Sequence, residues 1–172
     1  ATVINDADTG ASVDKPLLAL DDQGRAMVVW QETSSSEGVT TRQLKARTSL
    51  AFGDWGNSDE EVLGQLEGSD VAVALTMNDK GQALVVWPQV VIPESSNVEV
   101  TLNARAYAPL AGAWTSGTKE VFNIDNLAVG TTVNTDVKVA INDQGQALAA
   151  LLQIRNSGTE NETRGIRVYS FK

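Results

Sequence analysis

The chain has 172 residues, a formal net charge of −9, and 42% apolar against 20% charged residues, a balance suited to one globular domain with its own core. Its thirteen Lys and Arg are scattered rather than clustered, which disfavours nucleic acid and anionic membrane surfaces. Without a single Cys or His, the chain has no disulfides, thiolate or zinc–thiolate sites, histidine metal ligands or histidine-based triads, and no cofactor is expected.

Taken in chain order, residues 1–15 open with the apolar Ala1-Thr2-Val3-Ile4 and continue polar to Lys15. Asp6-Ala7-Asp8-Thr9-Gly10 has the flavour of a calcium loop but lacks a third ligand, a correctly placed glycine and a terminal bidentate Glu. Asp6 and Asp8 are therefore calcium candidates only, and no metal site is assigned. Residues 17–20 form a short apolar strand, followed by Asp21-Asp22-Gln23-Gly24, a tight turn in which Asp22 bonds its own backbone. Residues 25–32 are apolar at nearly every position, the mark of a strand covered on both faces. A polar loop is expected over residues 33–38, then an alternating, half-exposed strand through Leu44-Lys45-Ala46-Arg47-Thr48. Trp55 follows in a Gly-rich loop, and Glu61-Val62-Leu63 reads as a fourth strand.

The same order then recurs. Met77-Asn78-Asp79-Lys80-Gly81-Gln82-Ala83-Leu84-Val85-Val86-Trp87 repeats Leu20-Asp21-Asp22-Gln23-Gly24-Arg25-Ala26-Met27-Val28-Val29-Trp30, and Ile141-Asn142-Asp143-Gln144-Gly145-Gln146-Ala147-Leu148 begins a third copy. The second copy continues through a polar loop at 93–97, Leu102-Asn103-Ala104-Arg105-Ala106, Trp114 and Glu120-Val121-Phe122. The third continues through a loop at 156–163 and Ile166-Arg167-Val168-Tyr169-Ser170, then ends before a tryptophan or fourth strand. An internal repeat of this kind is an architectural statement, since each copy must lean on its neighbours. The expected fold is all-β and β-propeller-like: three four-stranded antiparallel blades at 16–70, 71–136 and 137–172, the last completed by a strand from residues 1–15. Three blades are fewer than the usual ring, so either two chains join as a homodimer into a six-bladed ring, which is the preferred reading, or the chain is a piece of a longer array, or three units pack in some other closed way.

The run Asp-x-x-Gly-x-Ala-x-x-Val-Trp, followed by x-Ala-Arg-x-Tyr and a later Trp, resembles a tandem repeat of exported bacterial proteins generally read as β-propeller-like. The third copy departs from it, with Leu151 in place of the hairpin Trp. The resemblance implies a secreted, periplasmic or cell-surface setting and brings no catalytic residues with it.

Trp30 and Trp87 occupy the position where the third copy has Leu151, which reads as core filling. Trp55 and Trp114, set in Gly-rich loops, are the ligand-binding candidates, for a glycan or a surface protein. No catalytic residue is assigned. An enzyme reading would need inward carboxylates, for which Glu32, Asp70 and Asp136 are the candidates. The expected function is a non-catalytic binding or scaffold module without membrane insertion, with a strand- or blade-exchanging structural subunit as the alternative and a fragment of a propeller hydrolase behind it.

Overall fold

A computed structural model describes residues 3–5, 10–56, 59–67, 71–91, 99–115, 119–123, 136–155, 160 and 163–171. Among the described residues every regular element is a β-strand, and no helix is present to cross a membrane. The strands build three antiparallel sheets. The chain divides into two compact units, residues 1–66 with 79–81, and residues 67–78 with 82–172.

The first unit holds a four-stranded sheet in the order β1 (Ser12–Leu20), β2 (Ala26–Ser36), β3 (Val39–Ser49), β4 (Glu61–Gln65). β1 starts earlier than its apolar stretch suggests, and the register slips between Asp14 and Leu17. Lys15 there takes φ 51, and Pro16 follows it. A proline has no N–H for the ladder, and an edge strand with a bulge is where it is tolerated. Residues 3–5 carry no strand, and the Ile4 carbonyl accepts a hydrogen bond from Arg47 Nη1 at 2.7 Å. The described part of residues 1–15 thus serves the first unit, and it does not supply a fourth strand to the third sheet.

The polar stretch 33–38 is not a loop. β2 runs on to Ser36 and β3 begins at Val39, so the reversal is confined to Glu37 and Gly38, at φ 52 and 80. Two residues with positive φ match the right-handed twist of a hairpin. Ser34 and Thr41 pair their hydroxyls at 2.8 Å, and Ser35 and Thr40 at 3.1 Å, which lets small polar residues continue the ladder.

The second unit holds the other two sheets. One runs β5 (Ala74–Met77), β6 (Ala83–Val91), β7 (Glu99–Ala108), and its fourth position is shared by β8 (Ala113–Trp114) and β9 (Lys119–Asn123), both paired to β7. The other has three strands, β10 (Val137–Ile141), β11 (Ala147–Arg155) and β12 (Thr163–Phe171). Their core follows from period-2 alternation: Leu84 and Val86 of β6 with Leu102 and Ala104 of β7 cluster with Val137, Ala147, Ala149 and Leu151. The opposite side of β6 is buried too, through Ala83, Val85 and Trp87, as its unbroken apolar run requires.

Each sheet's first hairpin turns on the residue before the recurring aspartate. Asp21 Oδ1 accepts from the backbone N–H of Gln23 and Arg25, both at 2.9 Å. Asn78 Oδ1 accepts from Gln82 N–H at 2.9 Å, and Asn142 Oδ1 from Gln144 and Gln146 at 3.0 Å. Asp22, expected in that role, is exposed, as are Asp79 and Asp143 at the matching positions. Gly24, Gly81 and Gly145 close the turns at φ 80, 77 and 77. Gly81 is confined further, since a Cβ on it would stand 2.6 Å from Arg25 Cζ, whereas Gly38, also at φ 80, has nothing within 4 Å. Gly38→Ala should cost about 1 kcal/mol for the left-handed backbone alone. Gly81→Ala should cost more, about 2 kcal/mol, because Arg25 must also move; equal midpoints for the two variants in urea unfolding would refute the contribution of that contact.

Candidate functional site

β2 and β3 carry the densest polar cluster among the described residues. Glu32 lies near the solvent-facing end of β2's buried stretch, Lys45 on β3, and Glu60 just before β4. Lys45 Nζ bonds Glu32 Oε1 at 2.7 Å and Glu60 Oε2 at 3.2 Å. Burial opposes the charge on Lys45, but hydrogen bonds and attraction from both carboxylates outweigh it and hold the amine above the ordinary lysine range. Glu32 is 8% exposed, so its carboxylate depends on that amine for compensation, and its Oε2 has no hydrogen-bond partner. A carboxylate clamped by a lysine is a poor general base, and this arrangement reads as a structural ion triad.

The other proposed carboxylates do not join it. Asp136 is exposed at the foot of β10, 3.1 Å from Lys138 Nζ, while Asp70 lies outside the described residues. Asp6 and Asp8 also lie outside them. Among the described residues no three acidic, histidine or cysteine side chains group as metal ligands.

The tryptophans divide into packing and partly accessible positions. Trp30 and Trp87 are 2% and 0% exposed, and their indole N–H groups find no hydrogen-bond partner. Leu151, the third copy's counterpart, is equally buried, consistent with filling by volume rather than by a polar handle. Trp114, in β8, stands edge-on to Tyr107 with ring centroids 5.5 Å apart and is buried, so little of its indole is offered to a ligand. Trp55 is half-buried in the 51–56 loop, where Asp54 Oδ1 caps Gly56 N–H at 3.1 Å.

The most unusual surface is one that the sequence alone does not single out. The outer face of the third sheet exposes Leu148, Ile166 and Val168 at 55%, 67% and 61%. At the end of the β10–β11 hairpin a groove of about 410 Å³ runs between Ile141, Asn142, Gln146, Leu148, Ser170 and Phe171. The first sheet exposes Leu18 and Leu20 on β1, with Phe52 beyond β3. Aliphatic side chains grouped on one exposed sheet face make this a candidate docking surface.

Asp21 and Lys45 are the polar residues that sequence reasoning missed. Asp21's signal was present in the Asp/Asn that opens each turn, whereas Lys45 looks like any outward residue of an alternating strand. No known family model matches the chain, and no curated protein matches it.

Replacing Lys45 with Met should destabilise the fold by about 3 kcal/mol at neutral pH, since it leaves Glu32 and Glu60 uncompensated. In the wild-type chain the raised Lys45 pKa keeps the triad's contribution intact at neutral pH, and it is lost only as pH rises through the alkaline lysine range. A pH series of denaturant unfolding on both proteins checks this, and a pH-independent difference would refute the ionic origin.

Proposed function

We propose that the chain is a non-catalytic binding or scaffold module that engages a protein partner through the apolar outer face of its third sheet. The observation that carries this reading is the exposure of Leu148, Ile166 and Val168 on one sheet face. Aliphatic surface of this kind suits a protein better than a sugar, which is gripped by open aromatic faces. Trp114 is buried edge-on against Tyr107, leaving Trp55 as the indole a glycan would have to use. The three antiparallel meanders are read as the blades of a propeller-like array, and the resemblance to exported bacterial repeats supports a secreted, periplasmic or cell-surface setting.

A structural subunit that assembles by strand exchange is the second reading. It is favoured by the third sheet, where β12 has no strand on its far side among the described residues and offers an open edge.

An anilinonaphthalene sulfonate titration tests the first reading. The folded chain should enhance the dye's emission, and Leu148→Lys with Val168→Lys should reduce that enhancement without altering the far-ultraviolet circular dichroism. A saturable tryptophan shift with an oligosaccharide, lost in Trp55→Ala, would overturn it in favour of a glycan-binding module.

A further inference from the structure

Within the second unit, one sheet stacks on the next by a fixed set of positions. β6 and β7 present Leu84, Val86, Leu102 and Ala104, and the third sheet covers them with Ala147, Ala149, Leu151 and Val137, flanked by Val139 and Ile141. The contact is reinforced at the turn, where Asn78 Nδ2 donates to the Asn142 carbonyl at 2.8 Å. The Gln82 side-chain amide there lies where a Cβ on Gly145 would be, 3.2 Å from that point.

The same positions recur on the two exposed faces. Leu148 lies three residues past its turn glycine as Leu84 does, and Ile166 lies twenty-one past it as Leu102 does. Val168 likewise answers to Ala104. The third sheet therefore exposes the counterparts of the positions that it covers on its neighbour. On the first sheet, Leu18 and Leu20 answer to Val139 and Ile141, the β10 residues that flank that contact, and they are 69% and 54% exposed. One chain thus exposes one half of a known contact on its third sheet and the two flanking positions of the other half on its first, where Ala26 and Trp30, the counterparts of Ala147 and Leu151, are already buried.

From this continuity with the observed sheet–sheet interface, and resting on the binding role proposed above, we infer that the partner is a second copy of this chain, docked head to tail. The first sheet of one copy lies on the outer face of the third sheet of the other. Phe52 gives the contact a specific feature. Its Cβ stands 3.1 Å from where a Cβ on Gly24 would be, the place that Gln82 takes over Gly145, and the residue is 82% exposed. In the docked pair Phe52 meets Gln146 of the other copy, at the mouth of the groove that Leu148 and Phe171 also line. Because each copy carries −9, attraction between copies is apolar and works against net repulsion.

Head-to-tail docking has a signature that a symmetric contact lacks. The 172-residue chain, at 18.3 kDa, should run by light scattering as a dimer or larger at tens of micromolar, and more so in high salt, which screens the repulsion. Leu148→Lys with Val168→Lys, and separately Leu18→Lys with Leu20→Lys, should each weaken association on the order of 100-fold, because a lysine is then buried without a partner. Phe52→Ala should weaken it about tenfold. All the substituted residues are exposed, and unchanged circular dichroism confirms folding. Mixing the two lysine variants should restore a one-to-one dimer, since each keeps the half that the other lacks. A wild-type chain that stays monomeric at all concentrations and salts overturns the proposal. So does a mixture that fails to pair, which would indicate a like-with-like contact. Dye binding that persists in a monomeric wild type and is reduced in Leu148→Lys with Val168→Lys would leave the binding face standing and reject only the second copy as its occupant.

Discussion

A strand that is apolar on both faces must be covered twice, and the arrangement of this chain follows from that requirement. β6 is the clearest case: Leu84 and Val86 point one way, Ala83, Val85 and Trp87 the other, and all five are buried. Burying a large aliphatic side chain contributes about 2 kcal/mol, so leaving either side of such a strand in water would forfeit more than a marginal fold has to spare. β11 is also apolar from Ala147 to Leu152, but Ala147, Ala149 and Leu151 are buried while Leu148 on its other face is exposed. The proposed binding surface is the unmet half of a requirement that β6 satisfies.

The turns translate that requirement into position. Asp21, Asn78 and Asn142 each draw the backbone N–H of a following residue onto a side-chain oxygen, so the three hairpins reverse in the same way. The neutral and charged versions differ in what they add. Asn78 retains amide hydrogens and spends one on the Asn142 carbonyl. Asp21 has no hydrogen to give, and Arg25, which its carboxylate holds, reaches the Asp79 carbonyl at 3.4 Å instead. Burial pushes the Asp21 carboxyl upward, yet the Arg25 side chain and the turn N–H groups prevail and hold it below the usual aspartate range. Its contribution to stability is therefore present at neutral pH and lost as pH falls below that range.

Much of this fold was legible in the sequence, and the reasons are local. Short apolar-rich segments followed by Asp/Asn-Asp-x-Gly announced the hairpins, and alternation announced β3, β7 and β12, because both signals are local and need no knowledge of the rest of the chain. The β2–β3 arm was misjudged because Ser and Thr look like loop residues until cross-strand hydroxyl pairs are seen. Residues 12–15 were misplaced because a bulge before a proline breaks alternation at the point where a strand is under way. The candidate site was harder to read for a different reason. Exposure of Leu148 and Val168 is a property of what fails to cover them, and no pattern within β11 or β12 records it. Trp114 shows the converse: its Gly-rich flanks suggested an open ring, and only tertiary structure brings Tyr107 against it.

The bulge at Lys15 and Pro16 also bears on how this protein avoids uncontrolled assembly. β1 borders its sheet, and a regular border would present a ladder of free N–H and C=O groups to any extended chain. The kink and the missing amide interrupt that ladder midway along β1. β12, bordering the third sheet, keeps an uninterrupted register with β11 over its whole length. The two borders are therefore unequal as templates: foreign strands are turned away at β1, and growth into cross-β aggregates, when the fold is stressed, would be seeded along β12.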